Sequence, residues 1–177
     1  AQNSAVERDR VTGELWKRLH SNDEIESELY DIVIKNPEQV VAIGETGLDF
    51  YHMSKDSEIA KKEYFEQLEW FERLSSLAKK TSLPLIIHTR NAPKETLHCI
   101  YKYSINHAVI HCFSEDLEFA KKLLSYSDEI YFSFSWIITY KNTANIQEVA
   151  SKIPLNRILI ETDAPFLSPA PVRNEVN

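Results

Sequence analysis

Two rhythms of apolar residues alternate along this chain. Short unbroken apolar runs stand at Val40-Val41-Ala42-Ile43, Leu85-Ile86-Ile87, Ala108-Val109-Ile110 and Ile158-Leu159-Ile160, and Ile130 to Ser135 alternates aromatic with small residues. Such runs predict buried strands. Between them apolar residues recur at helical spacing. Ser21 and Glu24 form a capping box ahead of Ile25, Leu29, Ile32 and Val33, and Asn36-Pro37 stops that helix. A long helix is predicted from about Ser57 to Lys80, with Ile59, Phe65, Leu68, Phe71 and Leu74 as its buried stripe. Pro93 opens a helix carrying Leu97, Ile100 and Tyr101. Ser114 is the expected cap of the next helix, with Glu115 and Asp116 in its first turn and Lys121 and Lys122 later. A last helix holds Ile146, Val149 and Ile153 and ends at Pro154. Strands alternating with amphipathic helices imply a parallel sheet covered by helices. The fold class is α/β, either doubly wound or part of a barrel.

Composition narrows this picture. The chain has 177 residues, enough for one domain spanning 1–177 but short of the ~250 of a complete eight-unit barrel. Twenty Lys and Arg face 27 Asp and Glu, a net charge of −7. This balance argues against a broad basic surface for coating duplex DNA, but not against a cleft that handles phosphate through a metal ion. No apolar run approaches the ~18 residues of a membrane span, and the polar stretch Ala1 to Gly13 does not read as a signal peptide. Cys99 and Cys112 do not make a disulfide framework and fit a reducing cytoplasm.

The chemistry sits where the apolar runs stop. The first run ends in Gly44-Glu45, the second in His88-Thr89-Arg90, the third in His111-Cys112 and the fifth in Glu161-Thr162-Asp163. In parallel α/β proteins these carboxyl ends face the ligand site, so Glu45, His88, His111 and Asp163 are expected to converge. Two imidazoles and two carboxylates suit a divalent ion such as Zn, Mn or Mg. His20, His98 and His107 read as surface or loop residues, and His52 lies closer to the cleft. The chain has neither a phosphate-cradling glycine loop nor a Gly-x-Ser-x-Gly elbow. Strand alternation turns Cys112 away from the face of His111, so packing is its expected role. Tyr64, Phe65, Trp70 and Phe71 read as helix core and helix surface.

Four segments together resemble the TatD family of metal-dependent deoxyribonucleases. They are Ala42-Ile43-Gly44-Glu45-Thr46-Gly47-Leu48-Asp49-Phe50-Tyr51, Pro84 to Ala92 around His88-Thr89-Arg90, His111-Cys112-Phe113-Ser114, and Ile160 to Leu167 around Glu161-Thr162-Asp163. The resemblance runs from about Ser21 to Asn174. It implies a (β/α)8 TIM-type barrel of the amidohydrolase-like kind, here incomplete with about five strand–helix units. It also implies one or two divalent ions (Mg, Mn or Zn), with Glu45 shared, His88 and His111 completing one position, and Asp163 contacting the other and orienting the attacking water. The implied reaction is hydrolysis of phosphodiesters in DNA or oligonucleotides, at ends or in short single strands. The planar fork of Arg90 suits a phosphate, with a structural ion pair as the alternative, and Lys141 and Arg173 are candidates of the same kind.

The chain departs from the family pattern in three places. It contains no His-x-His pair, it continues only briefly past Arg173-Asn174-Glu175, and Trp136 stands where the family usually has glycine. An indole there would stack on a base or obstruct the cleft. The alternatives to a nuclease are a metal hydrolase of a small substrate and a catalytically impaired binding or structural relative. No obligate protein partner is inferred. A five-strand arc would leave two open edges, and the expectation is that the natural protein has further residues to cover them.

Overall fold

The computed structural model describes residues 21–177 apart from Asn174. The chain divides into two compact units, residues 1–41 and 42–177. In the first, helix α1 spans Asn22–Lys35 and begins with the expected capping box. The Ser21 N–H donates to Glu24 at 2.7 Å and the Glu24 N–H donates to the Ser21 hydroxyl at 3.2 Å. Ile25 and Val33 are buried, and the Asn36 amide closes the last turn on the Ile32 carbonyl.

The second unit is a parallel sheet with helical crossovers. Its elements are β1 (Ile43–Asp49), α2 (Ser57–Thr81), β2 (Leu85–Arg90), α3 (Pro93–Lys102), β3 (His107–His111), α4 (Leu117–Tyr126), β4 (Glu129–Phe134), α5 (Ala144–Lys152) and β5 (Ile158–Ile160). The strand order is β1-β2-β3-β4-β5, so the sheet repeats the order of the chain, and every pairing is parallel. The fold is α/β. Among the described residues β1 and β5 each pair on one side only, and the sheet does not close.

Alternation along the strands sorts two faces. Leu85, Ile87 and Thr89 of β2 and Ala108 and Ile110 of β3 are buried, and so are Ile130 and Phe132 of β4. Phe71 and Leu77 of α2, Ile100 of α3, Leu123 of α4 and Val149 of α5 are buried helix residues of the same unit. Phe113, just past β3, meets Phe119, Phe132 and Phe134 with ring centroids 5.5 to 6.2 Å apart. Each such aromatic pair contributes about 1 kcal/mol beyond burial. The opposite face, with Ile86, His88 and Arg90 of β2 and Val109 and His111 of β3, is only half-buried.

Three expectations need correction. Only Ile43 of the first apolar run lies in a strand, and Val41 is 74% exposed. β1 instead continues through Gly44 and Gly47, where the register with β2 shifts between Ile43 and Thr46. Both glycines have positive φ, and a Cβ at Gly47 would lie 1.7 Å from the His88 carbonyl oxygen. Glu45 is thus within β1 rather than past its end. The stripe of α2 is buried only in its second half: Phe71 and Leu74 are in the core, whereas Ile59 and Phe65 are more than half exposed. The cap of α4 is Asp116, which accepts from the Phe119 N–H at 2.8 Å, and not Ser114.

Candidate active site

Register brings the candidates together. His88 and His111 are paired neighbours at the carboxyl ends of β2 and β3, and Gly47 is the β1 partner of His88. Glu45 stands over both imidazoles. One of its carboxylate oxygens lies 3.6 Å from His88 Nδ1 and the other 3.2 Å from His111 Nε2. Asp163, beyond β5, reaches the same His111 Nε2 at 3.5 Å. All four candidates therefore meet, although 118 positions separate Glu45 from Asp163 (163 − 45).

Two further carboxylates join them that the sequence did not single out. Asp49 Oδ2 lies 3.6 Å from His88 Nε2. Glu161 Oε2 lies 2.6 Å from His111 Nδ1, and its Oε1 accepts from the Cys112 N–H at 2.6 Å. A signal was present in both cases. Glu161 precedes Asp163 by two positions directly after a strand, and Asp49 shares the glycine-interrupted segment of Glu45. Beneath them, buried Glu115 accepts from the Thr89 hydroxyl at 3.0 Å, and the Thr96 hydroxyl donates to Thr89. Burial pushes the Glu115 carboxyl up, against the pull of the Thr89 bond.

Electrostatics follow from these contacts. The hydrogen bond to Glu161 pushes His111 up to about 9, overcoming the opposing effect of burial, with Glu45 and Asp163 adding to it. Burial alone would raise Glu161, but bonds to His111, Ser133 and the Cys112 N–H hold its carboxyl below the usual range. Cys112 has left-handed backbone (φ 45°) and lies past the end of β3, so strand alternation does not govern it. Its sulfur contacts the Ser135 hydroxyl at 3.0 Å, and burial pushes the thiol up to about 11. A thiol so rarely ionised packs rather than attacks.

The remaining candidates fall into different places. Arg90 Nη1 lies 2.9 Å from His52 Nε2 and 3.5 Å from Asp49, and its guanidinium lies over the Tyr51 ring at 4.5 Å. It is therefore at the edge of the cluster and held by an ion pair. His52 does reach this edge. Arg173 lies over Tyr140 at 4.2 Å, and Lys141 is exposed. Among the described residues no hydrogen bond or ion pair connects Lys141 or Arg173 to the cluster. Trp136 is 41% exposed and lines a 430 Å³ groove with Phe134, Ile138, Ile158, Ile160 and Glu161. His98 and His107 are exposed, and His20 lies outside the described residues.

Imidazole and carboxylate donors are the right chemistry for a borderline divalent ion. Neighbouring ligands of a tetrahedral ion at ~2.0–2.1 Å sit ~3.3 Å apart. The contacts of Glu45 and Asp163 with the two imidazoles, 3.2 to 3.6 Å, match that spacing. Among the described residues no group of three or more His, Cys, Asp or Glu forms a ready-made metal site. The donors fit an ion pair by pair, and convergence of a third ligand is what binding must supply.

The family model described as "TatD related DNase" matches residues 10–177. The uncharacterized metal-dependent hydrolase YcfH of Escherichia coli is 38% identical over 142 residues, covering 79% of this chain and 50% of YcfH. The uncharacterized metal-dependent hydrolase YabD of Bacillus subtilis is 36% identical over 165 residues, covering 92% of this chain and 61% of YabD. The crystal structure of YjjV, a TatD homolog from Escherichia coli, superposes with a TM-score of 0.73 at 26% identity, covering 89% of this chain and 57% of that one. A TatD family hydrolase from Entamoeba histolytica superposes with a TM-score of 0.64, also at 26% identity, over 85% and 48%. The chain spans about half the length of the first curated relatives it matches.

Proposed function

The chain belongs to the TatD-related DNase family, and on that premise we propose that it forms the catalytic centre of a metal-dependent hydrolase acting on phosphodiesters of DNA or short oligonucleotides. The observation that carries this reading is Glu45, whose two oxygens address His88 and His111 at 3.6 and 3.2 Å while Asp163 approaches His111 from beyond β5. Glu45, His88, His111 and Asp163 would hold the ion, be it Mg, Mn or Zn. When bound, the ion would supply Lewis-acid stabilisation of phosphoryl charge and a more acidic water. Asp163, 36% exposed at its side chain, would take a proton from an incoming water. Arg90, anchored by Asp49 and Tyr51, presents its guanidinium at the edge for a phosphate oxygen. The exposed part of Trp136 offers a flat apolar face in the groove beside Glu161.

Glu45→Ala and His111→Ala should each abolish divalent-dependent release of nucleotides from a single-stranded oligonucleotide. Undiminished release by both variants refutes the reading. A second reading, a catalytically impaired binding relative, is favoured by the open ligand set. It is the outcome if calorimetry shows divalent binding while DNA, RNA and small phosphoesters all remain intact.

A further inference from the structure

We infer that Glu161 is a positioning residue: it holds the His111 ring with its proton on Nδ1, so that Nε2 is the atom presented between Glu45 and Asp163. The inference rests on the metal-site reading above and deepens it. An ionised carboxylate can only accept hydrogen bonds. Glu161 Oε2 stands 2.6 Å from His111 Nδ1, so that nitrogen must carry a hydrogen. The ring's other nitrogen then points the opposite way, where Glu45 Oε2 and Asp163 Oδ1 lie at 3.2 and 3.5 Å.

Glu161 is itself fixed from a second side. Its Oε1 accepts from the Cys112 N–H at 2.6 Å, and its own N–H donates to the Phe134 carbonyl at 3.2 Å. The left-handed backbone of Cys112 turns that N–H back towards β5. Each carboxylate oxygen thus faces a separate donor. A Gln at this position could accept from only one of them and would set its NH₂ against the other. Carboxylate–histidine pairs of this kind orient metal-bound imidazoles, and their loss lowers metal affinity about ten- to a hundredfold.

The test uses the full chain labelled with ¹⁵N. In metal-free protein at a pH near 10.5, above the His111 value of about 9, the ring nitrogen shifts report which nitrogen keeps the proton. Nδ1–H is expected; an Nε2–H tautomer overturns the inference, and this arm does not depend on any metal binding. Zinc is then titrated into wild type and Glu161→Gln, each checked for folding by circular dichroism. Wild type should bind through Nε2 with the Nδ1 proton retained and shifted downfield. Glu161→Gln should bind at least tenfold more weakly and lose that resonance. Equal affinity in a folded variant overturns the inference. Should the variant not fold, wild-type coordination decides: zinc on Nδ1 overturns it, zinc on Nε2 supports it. Wild type that binds no divalent ion refutes the metal-hydrolase reading instead, while the tautomer result stands on its own.

Discussion

His111 and Glu161 also set how the metal-free protein responds to acid and alkali. His111 is raised from its ordinary 6.5 to about 9, and Glu161 is held below its ordinary 4.5. The imidazolium contribution to stability is complete below pH 6.5 and is lost as pH rises through about 9. The carboxylate contribution is present above pH 4.5 and is lost as pH falls through the lowered value. Their joint contribution should therefore be greatest between pH 4.5 and 6.5. Urea midpoints measured from pH 3 to 10 check this. Replacing His111 with Gln should remove the alkaline decline that separates pH 6.5 from pH 9, and identical profiles for both proteins would refute the assignment. At this scale the sequence was informative about the candidate ligands but not about their supports. Each candidate follows an apolar run, which marks a strand end for His88, His111 and Asp163, whereas for Glu45 the run marks the start of β1. Glu161 reads as part of the same strand-end triplet, and only the fold shows that it turns towards β3 rather than outward. Asp49 was hidden because β1 continues past two glycines that look like a turn.

At the scale of elements, the helices and strands were legible in kind because apolar spacing decides the period, while their ends depended on local hydrogen bonds. The start of α4 is the clearest case. Ser114 and Asp116 are both good caps by type, but Glu115 between them is buried and bound to Thr89, so the helix begins one step beyond it. The Asp116 carboxylate then meets the Phe119 N–H. Asp116→Ala should cost about 1 kcal/mol of stability, the usual loss for a helix cap. Ser114→Ala should cost less than about 0.5 kcal/mol. Chemical denaturation of the two variants distinguishes them, and the reverse ranking would return the cap to Ser114. The half-exposed stripe of α2 has a different lesson. Periodicity shows which face is apolar, but not how far along the helix a neighbour covers it. Ile59 and Phe65 carry the pattern without the burial.

At the largest scale, the described strands of the second unit form one sheet of five parallel strands, with the candidate site towards its carboxyl end. Its outer strand β5 is short and apolar, and Ile160 is 89% exposed beside Leu159 at 41%. An exposed, apolar edge of this kind invites pairing with another chain. Ile160→Lys should leave folding stability within about 0.5 kcal/mol of wild type, as expected at an exposed position. It should also reduce self-association of the chain, as read by sedimentation velocity at rising concentration. Unchanged association would show that this edge is not where copies meet. Length and motif order already pointed to an arc rather than a closed barrel. The exposures at β5 place that openness on particular residues.

The collinear strand order has a consequence for the growing chain on the ribosome. Every sheet neighbour is also the next strand to be made, so each can dock as soon as it emerges, and N-terminal parts generally fold first during synthesis. Glu45 and His88 meet once β2 is in place, and β3 then adds His111. Asp163 and Glu161 follow β5, which comes later in the chain than β1 to β4. Until then the imidazole of His111 lacks the carboxylate that fixes its proton, and a nascent chain has little to offer an ion. Any ion the site takes would thereby wait for β5, which acts as its timer.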